Sequence, residues 1–159
     1  MSIALIPGSF DPVTNGHLDI VERTARKFDE VLVAVASNPR KGGALFTVEE
    51  RVAMLEAVVG HLSGVDVESF DGLLADFAVS HGVTAIVKGL RAVSDFDYEL
   101  QMAQLNLRLS GVDTLFMPTA AEHSFLSATL VREVASLGGD VSSMVPAPVA
   151  QRLKERYAE

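Results

Sequence analysis

A histidine and a loop of small residues near the start of the chain have the types and spacing of a phosphate-binding site. Apolar residues 3–6 lead into the loop 7–16, and His17 stands in the first turn of the helical pattern that follows. A loop that opens a helix presents unpaired N–H groups and the positive end of the helix dipole, and both attract phosphate. Because a first-turn side chain points back toward the helix start, His17 is expected to reach that phosphate.

The same helix start predicts the charge state of His17. A helix dipole disfavours a cation at its positive end, so the imidazole is expected to be neutral until an anion arrives. It would then donate a hydrogen bond to a phosphate oxygen. The alternative is a histidine with a structural role alone.

Four basic residues could extend this site, because they follow two of the predicted strands. Arg40 and Lys41 come after the second strand, and Lys88 and Arg91 come after the fourth. The segments that carry them contain no Asp or Glu, although the chain has 21 acidic and 13 basic residues. The ends of parallel strands meet at one edge of a sheet, so these cations would face the phosphate loop and form a pocket for a polyanion. For Arg40, a solvated surface charge is equally compatible with the sequence.

Two further segments carry polar groups with both a local and a functional interpretation. Asp11 could accept hydrogen bonds from N–H groups of its own turn, or it could help to hold Mg²⁺ on a nucleotide. Residues 124–129 offer hydroxyls and backbone donors at a second helix start, with Arg132 one turn further on. They could bind phosphate or simply cap the helix.

Composition limits the class of protein to which these residues belong. The chain has 159 residues, of which 48% are hydrophobic, and this suits one domain over residues 1–159. A net charge of −8 argues against a nucleic-acid partner, so any phosphate site must be local. The absence of cysteine excludes disulfides, thiolate metal sites and a cysteine nucleophile. No apolar run approaches the roughly 20 residues that span a bilayer, so we expect a cytoplasmic protein with no membrane partner.

Short apolar runs alternate with helical patterns along the whole chain. This alternation predicts an α/β fold with a doubly wound, Rossmann-like parallel sheet of five strands and helices on both faces. A capping box at Thr47 and Glu50 marks the second helix, and Ser94 is expected to cap the fourth. Gly82 and Gly138 are expected to end the third and fifth helices. The predicted strands are residues 3–6, 31–36, 65–70, 85–87 and 114–117.

Several of these segments, taken in order, resemble the motifs of one enzyme superfamily. The loop 8–17 has the sequence Gly-Ser-Phe-Asp-Pro-Val-Thr-Asn-Gly-His, followed by Lys-Gly-Leu-Arg at 88–91 and Ser-Ala-Thr-Leu-Val-Arg at 127–132. These resemble the nucleotidyltransferase superfamily with a (Thr/His)-x-Gly-His signature. Further matching segments are residues 46–51, 97–103 and 138–141. Nearly the whole chain is therefore similar to bacterial phosphopantetheine adenylyltransferases.

The resemblance implies an enzyme that transfers the adenylyl group of ATP to 4′-phosphopantetheine. The products are 3′-dephospho-coenzyme A and pyrophosphate, in coenzyme A biosynthesis. The acceptor phosphate attacks in line, so the protein supplies positioning and electrostatics, and no covalent enzyme intermediate forms. The resemblance also implies Mg²⁺ bound with ATP without a fixed set of protein ligands, coenzyme A as a feedback ligand, and a homohexamer.

The same resemblance implies roles for individual residues. The catalytic residues would be His17, Lys41, Lys88 and Arg91. The ATP-binding residues would be Ser9, Phe10, His17, Gly89, Leu90, Arg91, Glu99, His123, Ser124, Phe125, Leu126, Ser127, Ala128 and Thr129. The phosphopantetheine-binding residues would be Ser9, Lys41, Leu74 and Lys88. Two positions depart from the family pattern, because Ala128 stands where a second serine is usual and His123 where an aromatic residue is common.

Two other functions are compatible with these residues. A related nucleotidyltransferase could act on nicotinamide mononucleotide, or on a phosphorylated alcohol with CTP, with nearly the same fold and ATP site. Lys41, Lys88 and residues 73–74 favour an acceptor that has a phosphate at the end of an apolar, amide-bearing arm. A catalytically silent nucleotide-binding module would not need His17 together with several converging cations.

Overall fold

The computed structural model describes residues 1–37 and 43–159, with the main chain alone for residues 93–95. Strands and helices alternate, as the sequence predicts. The strands are β1 (Ile3–Gly8), β2 (Glu30–Ala36), β3 (Val65–Phe70), β4 (Ala85–Leu90) and β5 (Asp113–Pro118). The α-helices are α1 (Asn15–Ala25), α2 (Val48–Val59), α3 (Leu74–Ser80), α4 (Val93–Ser110), α5 (Ala128–Ser136) and α6 (Ala147–Ala158). A 3₁₀ turn, Ala121–His123, precedes α5.

The strands form one five-stranded parallel sheet in the order β3-β2-β1-β4-β5. The chain builds one half of the sheet as far as β3, and then returns to the middle to build the other half. The strand order therefore reverses between β1 and β4. In open sheets of this kind, ligands bind at that reversal, beyond the carboxyl ends of the strands. The predicted doubly wound, Rossmann-like fold is confirmed.

The two strands at the reversal separate toward their carboxyl ends. β1 and β4 pair at Ala4 with Ala85 and at Leu5 with Ile86. Beyond these residues β1 continues in register with β2, whereas β4 stays paired with β5 as far as Leu90. The sheet thus opens into a cleft between the last residues of β1 and β4.

Both strands that border the cleft are longer than the sequence predicts. The expected ends are Ile6 and Val87, but β1 continues to Gly8 and β4 to Leu90. Proline and glycine at these ends suggest a break, yet pairing with one neighbouring strand carries each strand past them. Lys88 is therefore a strand residue at the edge of the cleft, and its backbone is fixed by the sheet.

Local signals place the start of α2 and the ends of two other helices correctly. Thr47 Oγ1 accepts from the N–H of Glu50 at 3.1 Å, and Glu50 accepts from the N–H of Thr47 at 3.1 Å. Gly82 and Gly138 adopt left-handed backbone angles, with φ of +62° and +77°, just after α3 and α5. The predicted capping box and both glycine stops are confirmed.

The start of α4 differs from the prediction. The helix begins at Val93, with Ala92 as its N-cap and no hydrogen bond from the cap side chain, so the expected cap at Ser94 is wrong. Phe96 packs its ring against Phe116 of β5, with centroids 5.6 Å apart. Packing of the helix against the sheet therefore outweighs the local preference for a hydroxyl cap.

Apolar layers cover both faces of the sheet. Alternate residues of β2 point in opposite directions, so that Val33 lies in one layer and Leu32 in the other. The larger layer includes residues of α1, α2, α5 and α6, and the smaller one includes Ala78 of α3. Within residues 1–37 and 43–159, no helix is both long enough and apolar enough to cross a membrane.

Candidate active site

A cavity of about 330 Å³ occupies the cleft between β1 and β4. The strand ends contribute Gly8 and Lys88 to its lining, and the starts of α1 and α5 contribute His17 and Ser127. The 3₁₀ turn adds His123. Two helix N-termini therefore border one space, and each favours a negative charge there. This arrangement suits phosphate, at the position that the sheet topology indicates.

A second cavity, of about 350 Å³, adjoins the first. Four residues line both: Phe10, His17, Ala128 and Thr129. We call the first the cleft cavity and the second the loop cavity, because the second extends to Ser9 of the loop after β1. His17 therefore stands at the boundary between two compartments.

The N-cap of α1 fixes the orientation and the tautomer of His17. The Thr14 N–H donates to His17 Nδ1 at 3.0 Å, and Thr14 Oγ1 accepts from the His17 N–H at 3.3 Å. Because Nδ1 accepts a hydrogen bond, the neutral imidazole carries its proton on Nε2. The ring also packs edge to face against Phe10, with centroids 5.0 Å apart. His17 thus presents one N–H donor on a ring that is held from two sides.

The surroundings of His17 keep its imidazole neutral at pH 7. Burial, and secondarily the positive charge of Arg91, lower the pKa of His17 from 6.5 to about 4. The helix dipole predicts the same direction, but burial is the larger cause. A bound phosphate would raise this pKa again, because a negative charge stabilises the imidazolium.

Glycines let the strand ends pack tightly at the cleft. Phe10 has a left-handed backbone with φ of +50°, and its side chain is buried against Gly8. A Cβ at Gly8 would lie 3.0 Å from Cε2 of Phe10, and a Cβ at Gly89 would lie 3.0 Å from Cγ1 of Ile20. These glycines therefore serve internal packing as well as any close approach of a ligand.

Protein groups orient the cations of the cleft cavity. Lys88 Nζ lies 2.9 Å from Oε2 of Glu99 on α4, although that buried oxygen accepts no well-aligned hydrogen bond. Arg91 Nη1 donates to the Leu126 carbonyl at 2.8 Å and so links the end of β4 to the loop before α5. Glu99, which the resemblance places at the nucleotide, contacts Lys88 of the cleft cavity. A phosphate in the cavity would compete with Glu99 for the ammonium group.

The start of α5 offers both backbone N–H groups and hydroxyls as donors to an anion. Ser127 Oγ accepts from the Leu130 N–H at 3.0 Å and caps the helix. Thr129 Oγ1 accepts from Arg132 Nη2 at 3.3 Å, and Ser124 Oγ donates to a carbonyl of the 3₁₀ turn at 2.9 Å. Among the described residues, the N–H groups of Ala128 and Thr129 have no acceptor, and the Ser127 and Thr129 hydroxyls, which accept in these contacts, can still donate to an anion.

Asp11 makes a long-range contact that neither of its sequence interpretations includes. Its Oδ2 and Oδ1 accept from the N–H groups of Leu45 and Phe46, each at 2.9 Å. Arg132 Nη1 donates to the Asp11 carbonyl at 2.5 Å and lies 3.7 Å from Oδ2. The buried carboxylate ties the loop after β1 to the chain before α2. It does not cap its own turn, and each of its oxygens already accepts one backbone hydrogen bond.

Not all residues of the predicted site lie at the two cavities. Leu74 begins α3 and packs with the smaller apolar layer, away from both cavities. Leu90, Ser124 and Phe125 also lie outside the cavity linings. Lys41 lies outside the described residues. The predicted residues that line a cavity are Ser9, Phe10, His17, Lys88, Gly89, Arg91, His123, Leu126, Ser127, Ala128 and Thr129.

Arg51 is a cavity residue that sequence reasoning misses. It stands in the first turn of α2 and is only 5% exposed. Its Nε donates to the Phe46 carbonyl at 3.1 Å, and its Nη1 donates to the carbonyls of Ser9 at 2.8 Å and Ala36 at 3.2 Å. The signal in the sequence is its position four residues before Leu55, on the buried side of the helix.

The profile of the cytidylyltransferase-like family matches residues 5–134 of the chain. That span contains every residue that lines the two cavities. The chain belongs to the cytidylyltransferase-like family. Membership of this family makes the chain a nucleotidyltransferase.

A solved structure has the same fold as this member of the cytidylyltransferase-like family. It comes from Vibrio parahaemolyticus and is described as a nicotinate-nucleotide adenylyltransferase. The TM-score is 0.71 at 19% sequence identity, over 100% of this chain and 97% of the other. At this level of identity the likeness establishes the fold alone.

Proposed function

We propose that this nucleotidyltransferase transfers the adenylyl group of ATP to 4′-phosphopantetheine. The products would be 3′-dephospho-coenzyme A and pyrophosphate. The observation that carries the proposal is the position of His17 at the boundary of the cleft cavity and the loop cavity. A neutral donor between two compartments fits a reaction in which two phosphorylated substrates meet at one phosphorus.

The reaction is an in-line displacement for which the substrate itself supplies the nucleophile. An oxygen of the acceptor phosphate attacks the α-phosphorus of ATP and forms a new P–O bond. The bond from that phosphorus to the oxygen bridging to the β-phosphorus breaks, and pyrophosphate leaves with the electron pair. His17 Nε2–H would donate to a non-bridging oxygen of the transferred group, where its hydrogen bond matters most in the transition state.

Cations and helix starts would offset the repulsion between the two substrates. Lys88 would exchange Glu99 for a substrate phosphate, and Arg91 would contact the nucleotide beside His17. We propose that Lys41 joins them from the segment outside the described residues. The N–H groups at the start of α5 would bind the departing pyrophosphate.

Mg²⁺ would enter the site with ATP. Among residues 1–37 and 43–159, no three His, Asp or Glu side chains converge as a ligand set, and Asp11 already uses both carboxylate oxygens. Bound to ATP, the ion would neutralise part of the phosphate charge. The protein groups named above would then position the phosphates.

The remaining contacts follow from the same proposal. The nucleotide would lie along Gly89 and the segment 123–129, which line the cleft cavity in large part. Ser9 would contact the acceptor phosphate, and Leu74 would contact the pantetheine arm beyond the cavities. Coenzyme A contains the same arm, so it would inhibit by occupying the acceptor site.

Nicotinate mononucleotide is a second candidate acceptor, because the structural neighbour is described as a nicotinate-nucleotide adenylyltransferase. It also presents a phosphate to ATP, so the chemistry at His17 would be unchanged. The two acceptors differ at the end remote from the phosphate, where one carries a flexible amide-bearing arm and the other a flat charged ring.

A product assay separates these acceptors. Purified protein is mixed with ATP, Mg²⁺ and one phosphorylated acceptor at a time, and the adenylylated product is identified by mass. We expect dephospho-coenzyme A with release of pyrophosphate, and much less product when CTP replaces ATP. Formation of the nicotinate dinucleotide without dephospho-coenzyme A would favour the second acceptor. A folded protein that binds ATP and forms neither product would be a nucleotide-binding module.

We further propose that the enzyme is a homohexamer. Helix α4 and the edge strand β5 expose large apolar side chains: Tyr98, Leu105, Leu109 and Leu115 are 64%, 44%, 52% and 49% exposed. Rows of exposed apolar groups indicate contact surfaces between protein chains. Light scattering should give a mass about six times 17.0 kDa, and a monomer would contradict the proposal.

A further inference from the structure

The loop cavity contains a buried cation that the reaction scheme above does not use. Arg51 is 5% exposed, and its hydrogen-bond acceptors are the main-chain carbonyls of Ser9, Ala36 and Phe46. Within residues 1–37 and 43–159, no carboxylate forms an ion pair with its guanidinium. A cation removed from water without a negative partner lowers the stability of the fold, so its placement needs an explanation.

One nitrogen of Arg51 is left for a ligand. Nε and Nη1 make the three hydrogen bonds, whereas Nη2, which carries two N–H groups, donates to none of the described residues. Nη2 is also not among the fully enclosed polar atoms that lack a partner. The Arg51 side chain lines the loop cavity, so we expect a ligand in that space to be the partner of Nη2.

The other groups around the loop cavity also favour an anion. Arg132 lines it with a guanidinium held by the Asp11 carbonyl and Thr129 Oγ1, and it lies 3.7 Å from the Asp11 carboxylate. The first turn of α5 lines it at Ala128, and His17 lines it from the side of the cleft. The Asp11 carboxylate is present, but both of its oxygens already accept backbone hydrogen bonds.

We propose that the loop cavity binds a phosphate group and that Arg51 Nη2 is one of its donors. This inference rests on the proposed nucleotidyl transfer, which brings phosphates to both sides of His17. The group could be the acceptor phosphate or the pyrophosphate portion of ATP. Both present several anionic oxygens, which a planar guanidinium recognises better than an ammonium does.

Ala44 offers a test that leaves the hydrogen bonds of Arg51 in place. It is exposed and lines the loop cavity. Ala44→Glu adds a negative charge to that wall, and Ala44→Gln adds the same bulk without charge. Calorimetric titration measures binding of inorganic pyrophosphate and, separately, of 4′-phosphopantetheine. We expect Ala44→Glu to bind one of these at least fivefold more weakly than Ala44→Gln does, and the affected ligand identifies the source of the phosphate.

Arg51→Lys tests the guanidinium itself. Lysine keeps the charge but cannot hold three carbonyls and a ligand together, so the affected ligand should bind at least tenfold more weakly. Arg156→Lys is the matched control, because Arg156 also donates to a main-chain carbonyl, that of Leu45, but pairs with Glu50 away from the cavities. It should lower the melting temperature and leave both affinities unchanged.

Two results would overturn the inference. One is equal binding of both ligands by the two Ala44 variants; the other is an Arg51→Lys protein that, like Arg156→Lys, changes only in melting temperature. Pyrophosphate is a product of any nucleotidyl transfer at this site, so its binding does not depend on which acceptor is used. An assay that yields the nicotinate dinucleotide, with pyrophosphate binding still sensitive to Ala44→Glu, would therefore reject the acceptor and retain the role of Arg51.

Discussion

Two ionic regions begin at neighbouring residues of α2 and have opposite characters. Glu50 pairs with Arg152 at 2.5 Å and with Arg156, so that α2 is tied to α6. We call this group the α2–α6 cluster. Arg51, the next residue, donates only to carbonyl oxygens and lines the loop cavity. One region matches positive with negative charge, and the other leaves positive charge unmatched.

Comparison of the two regions distinguishes charges that stabilise the fold from charges that we propose to bind substrate. In the α2–α6 cluster, each arginine recovers part of its desolvation energy from a carboxylate, and Arg156 also lies 5.0 Å above the Phe46 ring. At the loop cavity, Arg51 has no carboxylate partner among the described residues, and Arg132 lies 3.7 Å from Asp11, whose oxygens also accept two backbone hydrogen bonds. Burial of Arg51 in this way is unfavourable for folding, and the phosphate that we propose would offset that cost.

The largest expected effect is on catalysis, from a change at the cavities. His17→Ala removes the neutral donor, and kcat should fall roughly 100-fold or more, with a smaller change in substrate binding. The melting temperature should fall by a few degrees at most, because the Thr14 N–H loses its acceptor and Phe10 loses a ring contact, but no charge is left unpaired. Steady-state kinetics with detection of the adenylylated product measure both parameters.

His61→Ala is the control for that variant. His61 is exposed just after α2, outside the cavity linings, and its loss should leave kcat unchanged. A purified, folded His17→Ala protein with near-normal kcat would contradict the role given to the imidazole.

In the α2–α6 cluster, a substitution is expected to lower stability and to leave catalysis nearly unchanged. Glu50→Gln removes the carboxylate that two arginines share, leaving them only the longer pairs with Glu155 and Glu159, and it weakens the capping box with Thr47. We expect the protein to be destabilised by about 2 kcal/mol, or several degrees in melting temperature. Catalysis should stay within about threefold of wild type, since the cluster touches neither cavity. Glu49→Gln, an exposed neighbour, controls for the loss of one negative charge.

We expect the α2–α6 cluster and the cavities to be independent of each other. A Glu50→Gln variant that lowers kcat as strongly as His17→Ala does would contradict this. Thermal unfolding and kinetics on the same preparations decide this.

The dependence of stability on pH should also distinguish His17 at the cavities from Glu50 in the α2–α6 cluster, although the expected change in stability is smaller. The pKa of His17 is lowered to about 4 by burial, so between pH 6.5 and 4 the unfolded chain binds the proton more readily. Stability should therefore fall as pH drops through that window, by up to about 1 kcal/mol per pH unit. The pKa of Glu50 is lowered mainly by its hydrogen bond from the Thr47 backbone, so its contribution is full above 4.5 and is lost only in stronger acid.

The measurement is denaturant unfolding at several pH values. His17→Gln should flatten the profile between pH 6.5 and 4.5, and Glu50→Gln should change it only at lower pH. A wild-type profile that His17→Gln leaves unaltered would contradict the lowered pKa.

The sequence predicts the groups whose partners are close along the chain, and it fails for those whose partners are distant. The Thr47–Glu50 capping box and the place of His17 in the first turn of α1 depend on three-residue spacings, and both are correct. Ser9, a partner of Arg51, lies 42 residues away along the chain, and Leu45, a partner of Asp11, lies 34 residues away, so no local pattern shows these contacts. The longer β1 and β4 depend likewise on pairing between strands.

The smallest effect is expected at Ala128, which lines both cavities. Ala128→Ser adds a hydroxyl at the start of α5, where the resemblance of the sequence to phosphopantetheine adenylyltransferases predicts a serine. If backbone N–H groups supply most of the binding at this helix start, the added hydroxyl should change the KM for ATP by less than about threefold and leave kcat nearly unchanged. A gain of tenfold or more would mean that side-chain hydroxyls, and not the unmatched charges and helix starts, dominate phosphate binding at the cavities.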